Sequence, residues 1–445
     1  MSSSIFHEYD IRGRYPGEVN ETIFYRLGEA YWQVFKPKKI AIGRDSRLSG
    51  ETLFLYLASS LQKHKVKIID LGRVSTPFCL WYSQKYKVDT FAITASHNPK
   101  DENGLKIFSA KKGIVDKASG LKKLEAKYKN TNPGSTVIMT RPIVRKYSPV
   151  AEYIDFILKK ISSPRSKTRI ALDFSHGSAG REFVLALEKL KIDFATLNET
   201  PNGNFPAHGP NPLALESQKG IRVLIKSGRF NLGVVVDGDG DRILFLDEKG
   251  EAVDPGHLFS LMIDRYLVPR RVKVVVKNIA LARVVDETAK SAGVKLDVVP
   301  VGRTKMQVAM KKVKAAMGVE KSGHYFFKDL YYGDNALAAL LTVVTILTKE
   351  KKSLSKLLEP YRGYVILPEV NLPFEGRVDS VIGHLKEKYR DGKVSELDGL
   401  TVEHPNWRFN LRRSNTENLW RLNLEGKNRE EVNKLREEIE TILTQ

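Results

Sequence analysis

The stretch 91–108, FAITASHNPKDENGLKIF, puts Ser96 directly after an apolar run that ends at Ile93. Apolar residues giving way to Thr94-Ala95-Ser96-His97-Asn98-Pro99 predict a buried strand, then a turn that holds the Ser96 hydroxyl at the end of a sheet. With His97 beside it and Lys106 ten residues on, Ser96 is a candidate nucleophile or phosphoryl carrier. The alternative is a serine that caps a turn before proline. In Asp237-Gly238-Asp239-Gly240-Asp241-Arg242, three carboxylates stand at alternate positions, spaced by glycines that let the backbone curl, and can converge on one hard divalent cation. Three carboxylates leave Mg²⁺ open to water and phosphate oxygens. An EF-hand loop competes, because Glu248 falls at its twelfth position, but Arg242 stands where that loop needs glycine. The apolar runs 233–236 and 243–246 also predict flanking strands in place of helices. An acidic turn without metal is the other alternative.

Two further clusters are chemically suggestive. Glu320, Ser322 and His324 offer a carboxylate and a hydroxyl for a polyhydroxylated ligand and an imidazole that can exchange a proton, unless they form an ordinary polar turn. Arg412-Arg413-Ser414-Asn415-Thr416 offers guanidinium, hydroxyl, amide and backbone N–H donors matched to a phosphate dianion, unless it is an exposed basic hairpin tip. Near the start, Tyr9-Asp10-Ile11-Arg12-Gly13 reads as a polar turn whose Arg12 could reach a phosphate.

The elements that must position these groups follow from periodicity. Strands are predicted at 39–42, at 66–71 and in the run before Ser96, with a helix over 51–63 and another before the third strand. This β-α-β-α-β order predicts a mainly parallel, doubly wound sheet whose ligands bind beyond the carboxyl ends of the strands. A polar, lysine-rich connection spans 110–142, and a boundary is expected near Ser148. The next unit has strands at 169–174, 194–197 and 232–236 and a Gly/Pro/Asn-rich loop at 199–212. A third has strands at 272–276, 295–299 and 316–319. The layout recurs three times without a letter-by-letter repeat. The C-terminal segment mixes strands at 364–367, 400–403, 407–411 and 419–424 with helices at 378–388 and 429–443, as in a small α+β domain. The expected domains are 1–147, 148–250, 251–361 and 362–445.

With 445 residues, 42% of them hydrophobic, the chain can bury several cores. Lys and Arg outnumber Asp and Glu by 73 to 52, a net charge of +21, which admits nucleic acid, an acidic membrane surface or small anionic substrates as partners. The basic clusters are short and lack interleaved aromatics, so no specific nucleic-acid partner is expected. Cys79, the single cysteine, excludes an intramolecular disulfide, suits a reducing compartment and reads as a core residue. The start MSSSIFHEYDIRGR lacks the pattern of a signal peptide, and the longest apolar run, 336–347, is too short to cross a bilayer. A cytoplasmic location with no membrane partner is expected.

Five motifs in order, Thr94–Pro99, Asn103-Gly104-Leu105-Lys106, Asp237–Arg242, Gly318–His324 and Arg412–Glu417, resemble the signature motifs of the α-D-phosphohexomutase family. The likeness spans essentially the whole chain, and Tyr9–Gly13 resembles the family's opening. Glu-x-Ser-Gly-His and Ser-Asn-Thr-Glu resemble the bacterial and archaeal phosphomannomutase/phosphoglucomutase branch, whereas phosphoglucosamine mutases typically show Ser-Gly-Thr where Ser414-Asn415-Thr416 stands here. The resemblance implies three consecutive doubly wound α/β domains of similar topology and a C-terminal α+β domain like the TATA-box-binding protein, heart-shaped around a central cleft. It implies one Mg²⁺ held by Asp237, Asp239, Asp241 and a phosphoserine oxygen of Ser96. Hexose 1- and 6-phosphates of mannose or glucose would interconvert through a hexose 1,6-bisphosphate. It also implies roles for individual residues. Lys106 and His324 are general acid and base candidates, supported by Tyr9, Arg12, His97, Arg242 and Lys277. Glu320 and Ser322 bind sugar hydroxyls, Arg303 lies in a recognition loop, and Arg412, Ser414, Asn415 and Thr416 hold the non-reacting phosphate. A monomer is expected, with a dimer as the alternative, and a hinge near 359–365. Departures from the family pattern are Arg303 where some members carry histidine, Asn418 in place of proline, and the added charge of Arg413. A phosphoglucosamine mutase and a non-catalytic metal- or nucleic-acid-binding protein on the same scaffold are the alternatives.

Overall fold

A computed structural model describes residues 5–131, 141–161, 165–373, 378–414 and 419–444. The chain divides into two compact units, one of residues 1–253 with 322–354, the other of 254–321 with 355–445. The segment expected as a third domain therefore contributes to both.

In the first unit, a seven-stranded sheet runs in the order Ile11–Arg14, Glu102–Ser109, Asp89–Ile93, Lys39–Arg44, Lys67–Arg73, Val144–Lys146, with Gly113–Ile114 beside Glu102–Ser109. Lys39–Arg44 lies parallel to both Asp89–Ile93 and Lys67–Arg73, while Glu102–Ser109 is antiparallel to both of its neighbours on the main path. Register pairs Arg44 with Ile93, so the two strands end together and the loops that leave them, 45–49 and 94–99, lie side by side. Helix Glu21–Phe35 starts where the Asn20 side chain accepts the Ile23 N–H, and its Phe24, Leu27 and Tyr31 recur at the spacing of one helical face. That face joins Leu57 of helix Gly50–Lys63 and Phe91 of the sheet in one core. Each such large apolar side chain contributes about 1.5–3 kcal/mol on burial.

Two expectations change here. The opening motif is not a turn beyond Asp10: Ile11–Arg14 is a strand that alternates buried and less buried residues and pairs with Glu102–Ser109. The lysine-rich connection is partly helical over Lys117–Leu121 and Lys122–Lys129, because Leu121 and Leu124, three residues apart, reach the core while the lysines face outward. Cys79 is buried in this unit, as its apolar neighbours imply.

The second sheet of this unit has the order Phe194–Leu197, Ile170–Asp173, Leu232–Val236, Ile243–Leu246, parallel except for the last strand. Tyr325–Phe327 and Gly333–Asp334 form an antiparallel pair, and helix Ala336–Glu350 is apolar and buried over 336–347. Among the described residues no helix is long and apolar enough to cross a membrane.

The second unit holds parallel strands Lys295–Val299, Val274–Asn278 and Met317–Val319 with helices Pro255–Met262, Val284–Ser291 and Arg303–Val313. It also holds an antiparallel sheet ordered Val365–Ile366, Leu419–Gly426, Trp407–Arg413, Leu400–Glu403, Lys393–Ser395. Val370–Pro373, a strand absent from the sequence-based reading, pairs with Leu419–Gly426. Leu385 of helix Val378–Lys388 and Val432 and Ile439 of helix Arg429–Thr444 pack with Phe409, Trp420 and Leu422 of that sheet, an α+β arrangement.

Candidate active site

Leu232–Val236 and Ile243–Leu246 are antiparallel with Val236 opposite Ile243, which leaves 237–242 as a tight turn at the sheet end. Asp237 Oδ1 curls the turn by accepting the N–H groups of Asp241 (3.0 Å) and Arg242 (3.1 Å). Only glycine fits at 238, since a Cβ there would stand 2.8 Å from the Ser96 carbonyl oxygen. The loop bearing Ser96 thus rests on the acidic turn. Ser96 is buried with φ +53°, in the left-handed region, and its Oγ donates to Asp237 Oδ2 at 3.0 Å.

Asp237, Asp239 and Asp241 are buried, and their ligand atoms lie within 4.8 Å of one another, close enough to hold one ion. Three carboxylates so placed require a positive charge. Lys106 Nζ supplies one, at 2.6 Å from Asp239 Oδ2 and 2.8 Å from Asp241 Oδ2. Burial, reinforced by Asp241 and Asp239, lifts Asp237 well above the usual carboxylate pKa. At Asp239 burial and Asp241 push upward, yet Lys106 and Thr76 outweigh them and hold the carboxyl below its ordinary value. Asp239 Oδ1 is buried and has no hydrogen-bond partner among the described residues, which leaves it available as an oxygen ligand. Buried oxygens without thiol or imidazole in this triad fit a hard dication such as Mg²⁺.

The other groups of this unit gather round that core. His97 Nδ1 is 3.5 Å from Ser96 Oγ, and burial with the nearby charges of Arg242 and Arg12 holds the ring well below the ordinary histidine pKa, hence neutral. Arg12 donates to Asn98 Oδ1 (2.8 Å) and Asp10 Oδ2 (2.6 Å); burial opposes its charge, but Asp10 and Asp239 outweigh it and raise the pKa. His324 Nε2 lies 3.3 Å from Asp241 Oδ1 and 3.3 Å from Arg242 Nε, and its Nδ1 is 2.7 Å from Ser322 Oγ. Asp241, His324 and Asp334 form a second group able to hold an ion, sharing Asp241 with the first. The structure therefore brings together Ser96, His97, Lys106, Arg12, Arg242, the three aspartates, Ser322 and His324. Tyr9, half-buried, lies next to Asp10.

The remaining candidates belong to the second unit, which includes Glu320 but not Ser322 or His324. Glu320 is buried, and its Oε1 accepts the Gly302 N–H at 3.0 Å, next to Arg303 at the start of helix Arg303–Val313. Arg412 is buried, and its pKa is lowered chiefly by that burial, against the pull of Glu369 and Asp398. Asp398 Oδ2, in the connection between strands Lys393–Ser395 and Leu400–Glu403, accepts the Val301 N–H at 2.8 Å, a link that sequence reasoning missed; Arg303, expected in a loop, is the first residue of its helix. Lys277 is buried and engaged with the carbonyls of Leu281 (3.2 Å) and Ala282 (3.4 Å) and with the Asp286 carboxylate. Ser414 N–H bonds the Leu419 carbonyl at 2.8 Å, and Asn415 and Thr416 lie outside the described residues.

Thr76 and Glu182 were also missed. Thr76 donates its hydroxyl to Asp239 Oδ2 (2.5 Å) and its N–H to the Asp239 carbonyl (2.8 Å). Glu182, buried on helix Gly180–Leu190, accepts Ser75 N–H (2.9 Å) and Ser75 Oγ–H (2.6 Å), which anchors the cap of helix Thr76–Tyr86. Burial lifts the Glu182 pKa from 4.5 to about 7, despite the Ser75 bonds that favour the carboxylate. The folded state then binds this proton more tightly than the unfolded chain, so the group's stabilisation is present below pH 4.5 and is lost as pH rises to about 7. Glu182→Gln is expected to remove that loss, on the order of 3 kcal/mol between the two states, read as a flatter melting temperature from pH 4.5 to 7 than in wild type.

Four family models match in order: phosphoglucomutase/phosphomannomutase alpha/beta/alpha domain I at 3–134, domain II at 151–250, domain III at 254–364 and the C-terminal domain at 369–442. The chain belongs to the phosphoglucomutase/phosphomannomutase family, with three α/β domains and a C-terminal domain. It is similar to the phosphomannomutase of Methanocaldococcus jannaschii, 31% identical over 441 residues that cover 99% of this chain and 97% of the relative. Its fold matches a phosphoglucomutase/phosphomannomutase family protein from Burkholderia thailandensis, with TM-score 0.87, 24% identity and coverage of 100% and 97%. A more distant match is Aspergillus fumigatus N-acetylphosphoglucosamine mutase in complex with GlcNAc-6P and magnesium, with TM-score 0.61, 14% identity and coverage of 98% and 95%.

Proposed function

We propose that this enzyme interconverts hexose 1-phosphate and hexose 6-phosphate, with mannose and glucose as the sugars, through a phosphoserine at Ser96 and a hexose 1,6-bisphosphate. The observation that carries this reading is a buried serine hydroxyl 3.0 Å from one of three clustered carboxylates. The phosphoryl group on Ser96 Oγ passes to the free hydroxyl of the sugar phosphate. A P–O bond forms to the sugar oxygen, the P–Oγ bond breaks, and the hydroxyl proton passes to a base. The bisphosphate then returns its other phosphoryl group to Ser96, so no phosphate is consumed.

Asp237, Asp239 and Asp241, with an oxygen of phosphorylated Ser96, would hold Mg²⁺, which draws charge from the transferring group. Lys106 and His324 move the proton, and Arg12, Arg242 and His97 surround the transferring group. Glu320 and Ser322 bind the sugar O3 and O4 hydroxyls, which have the same configuration in glucose and mannose. Arg412, Ser414, Asn415 and Thr416 hold the other phosphate, with Tyr9, Lys277 and Arg303 as further binding residues. The units of function run 1–147, 148–250, 251–361 and 362–445, in a cytoplasmic monomer whose partners are small sugar phosphates.

The test is ³¹P NMR of the protein with Mg²⁺ and a trace of glucose 1,6-bisphosphate, given mannose, glucose and glucosamine 1-phosphates in separate tubes. Appearance of the 6-phosphate resonance in the first two is expected. Preferential conversion of the amino sugar overturns the sugar assignment, and silence in all three overturns the activity.

A further inference from the structure

We propose that Arg47 is the positioning residue of the phosphoryl-carrying loop, its guanidinium fixing the backbone of 96–102 so that Ser96 Oγ faces the acidic turn. The proposal rests on Ser96 as carrier.

Arg47 is buried, and every N–H of its guanidinium is used. Nη2 donates to the carbonyls of Ser96 (2.9 Å) and Asn98 (2.6 Å). Nη1 donates to the carbonyls of Glu102 (2.7 Å) and Pro99, and Nε to Asp45 Oδ2 (3.1 Å). Four of the five acceptors are therefore backbone carbonyls of the segment that carries Ser96. The fifth closes a circuit. Asp45 Oδ2 also accepts the Thr94 hydroxyl (2.7 Å), and Thr94 Oγ1 accepts the Ser96 N–H (2.8 Å). The peptide before Ser96 is held through Thr94 and Asp45, and the peptide after it through Arg47. A non-glycine residue with φ near +53° persists only where its surroundings over-determine it, and this circuit does so.

The geometry follows from register. Arg44 pairs with Ile93 in parallel strands, so Asp45 and Arg47 leave one strand end beside the turn that leaves the other. The cover comes from the Gly/Pro/Asn-rich loop at 199–212. The ring of Phe205, itself buried, lies 5.6 Å from the guanidinium. Gly203 sits so close to the Arg47 loop that a Cβ there would be 2.5 Å from the Leu48 nitrogen and 2.6 Å from the Ser46 carbonyl oxygen. Excluding water strengthens each charge-assisted bond to the carrier loop. Lysine keeps the charge but has three donors and no planar fork, so it cannot reproduce the five bonds.

The experiment compares wild type, Arg47→Lys and Gly203→Val as full-length proteins with Mg²⁺. It measures melting temperature, single-turnover phosphorylation of Ser96 by glucose 1,6-bisphosphate, and kcat and KM for hexose 1-phosphate. For Arg47→Lys the expected result is a folded protein whose Ser96 phosphorylation rate and kcat fall about a hundredfold, as for a misplaced reacting group, while KM changes less than about threefold. Gly203→Val shifts the cover without altering a charge and is expected to lower kcat about fivefold at unchanged KM. If Arg47→Lys does not fold, Gly203→Val decides alone. Arg47→Lys with kcat within about threefold of wild type, or a loss confined to KM, overturns the proposal. So does Gly203→Val with wild-type kcat where Arg47→Lys does not fold. Wild type that takes up no phosphate on Ser96 removes the carrier reading itself, a failure distinct from phosphorylation that is indifferent to residue 47.

Discussion

Ser96→Ala is expected to lower kcat by a factor of about 10⁴ or more, because it removes the oxygen proposed to carry the phosphoryl group. His97 is the adjacent candidate, but its Nδ1 lies 3.5 Å from the hydroxyl, whereas Ser96 Oγ itself donates to Asp237 Oδ2 at 3.0 Å. The fold should survive. Alanine at φ +53° meets the same backbone constraint as serine, and the change deletes one hydrogen bond, worth about 1 kcal/mol. A coupled assay run beside a thermal melt separates the two effects. Activity within tenfold of wild type in the variant would remove Ser96 from the chemistry.

Asp237→Asn carries the second large effect, and its two readouts move in opposite directions. Asparagine is isosteric, so its Oδ1 can still accept the Asp241 and Arg242 N–H groups and the turn keeps its shape. It removes one of three buried carboxylates whose ligand atoms lie within 4.8 Å, so the metal-free protein is expected to melt higher than wild type. The same loss of charge weakens the hold on a dication. Mg²⁺ should add less to the melting temperature, and kcat should fall about a thousandfold, the scale of losing electrostatic stabilisation of a transferring phosphoryl group. Titrating Mg²⁺ against both activity and melting temperature measures this. A variant that melts lower without metal yet responds fully to Mg²⁺ would show that the triad is structural.

Much of the fold and of the acidic turn could be read from the sequence because the information is local. Asp237, Asp239 and Asp241 lie within five residues, between two apolar runs that can only be strands, and their glycines announce a tight turn. Ser96 was legible for the same reason, as a hydroxyl at the end of a buried strand. What stayed hidden depends on partners far away in the chain. Arg47 and Asp45 stand 49 residues from Ser96 and Thr94, and the acceptors of Arg47 are largely backbone carbonyls, which have no residue signature. Glu182 has no local motif around it, and its part in the fold depends on burial and on the Ser75 cap 107 residues away. Lys277 takes a supporting role from the family resemblance alone, whereas its ammonium is engaged by Asp286 and by the carbonyls of Leu281 and Ala282 just before helix Val284–Ser291. The 117–129 segment reads as a connection because only its leucines at 121 and 124 face the core.

The most direct measurement is the fate of labelled phosphate. The protein is treated with glucose 1,6-bisphosphate carrying ³²P, freed of excess sugar, digested and mapped by mass spectrometry, and a second portion is chased with unlabelled mannose 1-phosphate. Label on the peptide containing Ser96, passing to the sugar in a single turnover of the chase, is the expected result. Full catalytic turnover with no label on that peptide, or with label that the chase does not remove, would contradict a phosphoserine carrier at Ser96.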